Sequence, residues 1–125
     1  MFTQYTSIQD IVDSGAIGLV QEELNATPLY VQAVRHFGFR EIAINVMNEV
    51  GISLGTYASH NDGSGRITHI TNYCRRPDFS VHVPESVLVH ILHHVEDVKQ
   101  HPLRAFFRYG PKFSMKRGDY IRLAG

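Results

Sequence analysis

The stretch from Pro84 to His101, PESVLVHILHHVEDVKQH, restricts what this chain can fold into more than any other segment. Pro84 suits the first turn of a helix, where its missing N–H forfeits no intrahelical bond. Pro102 marks the far end. Between them Val87, Leu88, Ile91, Leu92, Val95 and Val98 recur at three- and four-residue spacing, which makes one broad apolar face at 3.6 residues per turn. The spacing predicts a long amphipathic helix packed across a core. His90, His94, Asp97 and His101 fall on an adjoining stripe, so that each meets the next across a helical turn.

The rest of the chain divides around that helix. Ser7 with Asp10 three residues on resembles a helix start, followed by Ile8, Ile11, Val12, Leu19 and Val20 at helical spacing, with Gly15 and Gly18 interrupting. Thr27 and Pro28 form a second start. Beyond it Phe39, Ile42, Ala43, Val46, Met47 and Val50 continue a helical pattern to Gly51, with a bend at Gly38. The first fifty residues therefore read as two or three helices. After Gly51 the period shortens, and the runs ISLGTYAS and RITHITNY flank the turn-rich His60 to Gly65, a hairpin pattern. Phe79, Val81 and Val83 alternate with Ser80 and His82, as in a half-buried strand. The run around Phe106 and Phe107 and the segment Tyr120 to Leu123 offer one or two more strands. The expected architecture is α+β: N-terminal helices, then an antiparallel sheet of about four strands with the long helix across it.

A length of 125 residues with 43% hydrophobic content fits one domain, 1–125, with a core that needs neither disulfide nor metal. Cys74 is the single cysteine, and the opening MFTQYTSIQD lacks the basic and apolar regions of a secretory signal, so the expected setting is cytoplasmic and soluble. No apolar run reaches the roughly 20 residues of a membrane helix, so no membrane role is expected. Twelve basic and twelve acidic residues cancel, which argues against strong attraction of the whole chain to nucleic acid. The distribution is uneven. Residues 1–50 hold six acids against Arg35 and Arg40, whereas from Lys99 onward seven basic residues face only Asp119. Such asymmetry suits an anionic partner or a homo-oligomer.

Enzyme signatures are weak. His90 and His94 stand at the i, i+4 separation by which two imidazoles on a helix share a metal ion, but Ile91 occupies the place of the glutamate that the hydrolase version needs. His90 and His101 lie about 16 Å apart along an ideal helix, so a third ligand would have to come from elsewhere, with His69 and His82 as candidates. Cys74 precedes Arg75 and Arg76, yet the sixth residue after it is Ser80 rather than the phosphate-binding arginine of a cysteine phosphatase. No phosphate-loop, dinucleotide or nucleophile-elbow motif is present in the sequence. No cofactor is expected.

Two stretches suggest nucleic acid. Val50-Gly51-Ile52-Ser53-Leu54-Gly55-Thr56-Tyr57 resembles the turn and second-helix start of TetR-type repressors, which would imply Ser53, Thr56 and Tyr57 as DNA-facing residues. The following Ser59 to Gly65 departs from that pattern, and a strand is the preferred reading. In the tail, Arg104, Arg108, Lys112, Lys116 and Arg117 alternate with rings that include Tyr109 and Tyr120, the mixture used for phosphate contact and base stacking. The sequence thus points to a small non-enzymatic binding or regulatory protein, self-associating, whose basic aromatic C-terminal third contacts an anionic partner. A nucleic-acid-binding regulator and a metal-dependent enzyme using His90 and His94 are the alternatives.

Overall fold

A computed structural model describes residues 2–72, 76–112 and the backbone of 114–116. Three helices, α1 (Ile8–Asp13), α2 (Ile17–Asn25) and α3 (Pro28–Phe37), lead into strand β1 (Glu41–Met47). A hairpin of β2 (Ser53–Asn61) and β3 (Ile67–Thr71) follows, then β4 (Phe79–Pro84), α4 (Glu85–His93), α5 (Val95–Gln100), α6 (Pro102–Tyr109), a 3-10 turn at Gly110–Lys112 and β5 (Ser114–Lys116). The class is α+β. The five strands lie in the order β3-β2-β1-β4-β5.

Local chemistry sets the helix limits. The Ser7 hydroxyl accepts from the Asp10 backbone N–H at 3.1 Å, satisfying one of the donors left free at a helix start. Pro28 opens α3, and Gly38, at φ 70°, closes it in the left-handed conformation with its N–H on the Val34 and Arg35 carbonyls. The helix expected to continue through Val50 therefore stops at Gly38, and residues 41–47 are instead the central strand of the sheet. The misreading has a physical cause. Ile42, Ala43, Asn45 and Val46 are all buried, so β1 is covered on both faces, loses its two-residue alternation and imitates helical spacing.

The sheet is mixed, which corrects the expectation of an antiparallel one. β1 pairs antiparallel with β2 but parallel with β4, with Ile44 opposite both Tyr57 and Val81. A parallel pair needs a long crossover, here supplied by the β2–β3 hairpin. Asp78 pins the start of this pairing: its carboxylate accepts from the Arg40 N–H at 2.7 Å and the Glu41 N–H at 3.2 Å, while its own N–H reaches the Glu41 carbonyl. At the other side of the sheet, Asn25 of α2 covers the edge of β3, donating to the Ile67 carbonyl at 2.9 Å and accepting from its N–H at 2.7 Å. Bonds of this kind deny the edge to other strands.

One face of the sheet forms the core. Val46 and Val83 pack with Phe2, Ile8, Ile11, Ala16 and Leu92, and Ile44, Tyr57, Val87 and Leu88 close around them. Burying each large side chain of this set contributes about 1.5–3 kcal/mol. Glu85 and His93 tie α4 to the N-terminal segment: the Glu85 carboxylate accepts from the Ile8 N–H at 3.1 Å, and His93 Nε2 donates to the Tyr5 carbonyl at 2.6 Å.

The single helix expected over 84–101 is two. His94 leaves helical geometry at φ −117°, ψ 29°. Its imidazole Nδ1 donates to the His90 carbonyl at 2.9 Å, the acceptor its own backbone N–H would use, and that N–H turns to Ile91 instead. A side chain that takes an acceptor from the ladder bends a helix. Phe106 and Phe107, expected in a strand, lie in α6. The segment 120–123 and Cys74 fall outside the described residues. The stretch resembling a helix-turn-helix is the start of β2, where Ser53 and Thr56 donate to the Asn45 side-chain carbonyl across the sheet. They hold strands together rather than face DNA.

Candidate ligand cleft and basic pocket

The break at His94 and the prolines at 28 and 102 set α3, α5 and α6 around a cleft of about 360 Å³. Tyr30 and Ala33 line it from α3, Ile91 from α4, Val98 from α5, and Ala105 and Phe106 from α6. Ile91 and Val98 belong to the apolar stripe of the helical stretch, but they are not part of the main core. The break turns that end of the stripe toward the cleft. Leu29 and Phe106, also in the lining, are 44% and 60% exposed. Polar side-chain groups enter the lining at Thr27 and at the hydroxyls of Tyr30 and Tyr109, which are engaged with Ser59 and His90. Burial raises the pKa of the Tyr30 phenol.

Tyr109 is also a wall of a second, smaller pocket of about 160 Å³, shared with Ser86, Val87, His90, Arg108 and Lys112. Tyr109 is buried at 7% exposure, and its hydroxyl meets His90 Nδ1 at 2.7 Å. The Arg108 guanidinium carbon lies 5.3 Å from the centre of the Tyr109 ring, a cation–π distance. His90 stacks on His94 with ring centres 4.3 Å apart, so the first two members of the expected ladder do meet. Desolvation lowers the pKa of His90, and the charges of His94, Arg108, Lys112 and His93 push it the same way. A third depression, lined by Thr6, Asn48, Glu49, Glu85 and His93, shares Ser86 and His90 with this pocket.

The residues expected to bind an anion are thus divided. Arg108, Tyr109 and Lys112 converge on the small pocket. Arg104 instead pairs with Asp97 at 2.8 Å on the surface, and this contact draws Asp97 out of the ladder. Lys99 bridges to Glu23 at 2.9 Å and Glu96 at 3.2 Å. The side chain of Lys116, and Arg117 and Tyr120 altogether, lie outside the described residues. Of those described, Tyr109 is the buried one. As for a metal at His90 and His94, no group of three or more His, Cys, Asp or Glu is placed to hold an ion among the described residues. His69 stacks on His60 at the β2–β3 pair, and His82 lies on β4.

The lining of the cleft was not legible in the sequence. Leu29, Tyr30 and Ala33 look like ordinary core positions of α3, and only the pairing of helices in space distinguishes them. The pocket was half legible, because the basic tail and the histidine stripe were both visible but not their meeting at Tyr109.

No family profile and no curated protein matches the sequence. Among solved structures, the chain is similar to sterol carrier protein 2 from Yarrowia lipolytica in its apo form, with 15% identity over 86% of this chain and 88% of that one, at a TM-score of 0.40. Sterol carrier protein 2 like 2 from Aedes aegypti aligns at 10% identity over 74% and 85%, with a TM-score of 0.35. The sterol carrier protein domain 2 of Helicoverpa armigera aligns at 18% identity over 76% and 74%, with a TM-score of 0.36. Likeness of this size carries nothing about function, which has to be read from the cleft and pocket themselves. No helix among the described residues is long and apolar enough to cross a membrane.

Proposed function

We propose that this chain is a binding protein rather than an enzyme, and that it holds a small hydrocarbon-rich molecule in the cleft between α3, α5 and α6. One observation carries the reading: the cleft is lined almost wholly by carbon, and its volume falls within the roughly 300–1,000 Å³ of small-molecule sites. Such a lining offers an incoming molecule little besides removal of apolar surface from water, worth about 25 cal/mol per Å². Its preferred ligand is therefore flexible or flat, apolar, and polar at one end at most.

The test is titration with N-phenyl-1-naphthylamine, a neutral probe that brightens in apolar surroundings, against the native chain and an Ala105→Phe variant. Ala105 is half-buried on the cleft wall, so a phenyl ring there fills the space without entering the core. The expected result is a loss of at least about tenfold in probe affinity, or ~1.4 kcal/mol, with an unchanged circular dichroism spectrum. Equal binding by the two proteins would place the probe elsewhere and end the proposal.

A second reading, self-association through α6, is favoured by the exposure of Leu103 and Phe107 at 66% and 75%. These two side chains sit one turn apart on the flank of α6 that the cleft does not use.

A further inference from the structure

We propose that Ser86, His90, Arg108, Tyr109 and Lys112 form a binding site for a single oxyanion, a carboxylate or a phosphate monoester. The pocket they line measures about 160 Å³, half the lower bound of about 300 Å³ for sites that hold whole organic molecules. It has room for a head group. Its polar lining consists of donors or groups able to donate: a guanidinium, an ammonium, an imidazole and two hydroxyls. No carboxylate lines it.

The charge is uncompensated as well as concentrated. Among the described residues neither Arg108 nor Lys112 has an acidic partner within 4.0 Å, whereas Arg104, one turn from Arg108 on the same helix, is paired with Asp97. A fork of guanidinium donors beside an ammonium suits an oxyanion better than a neutral ligand, because charge-assisted bonds are roughly twice as strong as neutral ones. His90 adds direction. Its surroundings favour the neutral ring, and its Nδ1 is engaged by the Tyr109 hydroxyl at 2.7 Å. An anion in the pocket would draw a proton onto His90. The titratable groups around it are Glu85 and His93 on α4, His94 at the break, Arg108 and Tyr109 on α6, Lys112 in the following turn, and Glu49 after β1.

Tyr109 separates this pocket from the apolar cleft and lines both. The oxyanion can therefore arrive in two ways, as free phosphate or as the head of a molecule whose tail lies in the cleft. The second way rests on the cleft reading, and the site itself does not.

The experiment uses the whole chain and an Arg108→Gln/Lys112→Gln variant, both positions being exposed, at constant ionic strength. Inorganic phosphate is titrated while the His90 ring proton is followed by NMR. Dodecyl phosphate and dodecanol are then compared as competitors of N-phenyl-1-naphthylamine. A saturable downfield movement of His90 with phosphate, absent in the variant, supports a site for the free anion. A tenfold or greater advantage of dodecyl phosphate over dodecanol, lost in the variant while dodecanol competes equally with both proteins, supports the head-group source. An unmoved His90 together with equal competition by the two dodecyl compounds overturns the oxyanion site and leaves the cleft standing. Phosphate movement without competition by either compound keeps the site and sinks the cleft.

Discussion

His90 joins the Tyr109 hydroxyl, the His94 ring and the charges of Arg108 and Lys112. Its folded-state pKa lies below the ordinary value of 6.5. A proton is thus held less tightly in the folded chain than in the unfolded one, so the contribution to stability is complete above pH 6.5 and lost as pH falls through the lowered value. The melting temperature should drop between pH 7.5 and 5.5, and His90→Gln should make that drop shallower. An identical decline in the variant would assign the effect to other groups. Gly65 offers a second residue-level test. At φ 90° in the β2–β3 turn it is pressed against α3, where an added Cβ would lie 2.3 Å from the Val31 carbonyl oxygen. Gly65→Ala combines left-handed strain with a clash against helix backbone, and denaturant titration should show a loss of at least about 2 kcal/mol. A cost near zero would mean that the turn swings free of α3.

At the scale of elements, what sequence could show depended on whether polar residues marked one of an element's two faces. The β2–β3 hairpin, the Ser7 cap and the Pro28 start were legible because turn chemistry and capping are local. The alternation of Phe79, Val81 and Val83 with Ser80 and His82 marked β4, but the strand is not half-buried as expected: Ser80 and His82 are themselves buried, and only the contrast of residue types between its two covered faces kept the period visible. β1 was not legible, since Ile42, Ala43, Ile44 and Val46 put apolar residues on both of its faces and leave no polar side to reveal its period. The division of α4 from α5 escaped because it depends on which donor captures the His90 carbonyl, a choice that periodicity does not encode. α6 was misread as strand because Pro102 was taken only as the end of the preceding helix, whereas it also opens the next one. That helix carries a prediction of its own. If Leu103 and Phe107 mediate self-association, Phe107→Asp should convert a dimer to a monomer in light scattering without changing probe affinity in the cleft. A native chain that is monomeric at high concentration would remove the second reading.

For the whole molecule, the neutral total charge concealed a local arrangement: acidic side chains of α2 and α5 take up Lys99 and Arg104, while Arg108 and Lys112 remain to face a pocket beside an apolar cleft. The architecture also has an order built into its synthesis. β1 lies between β2 and β4, and its parallel partner ends at Pro84, so a ribosome must add more than thirty residues after Met47 before the second edge of β1 can be closed. Through that interval the nascent chain exposes one side of its most apolar strand. The hairpin that forms first guards the other side, so slow translation beyond residue 61 would favour aggregation, and holdase chaperones would act on this protein in that window.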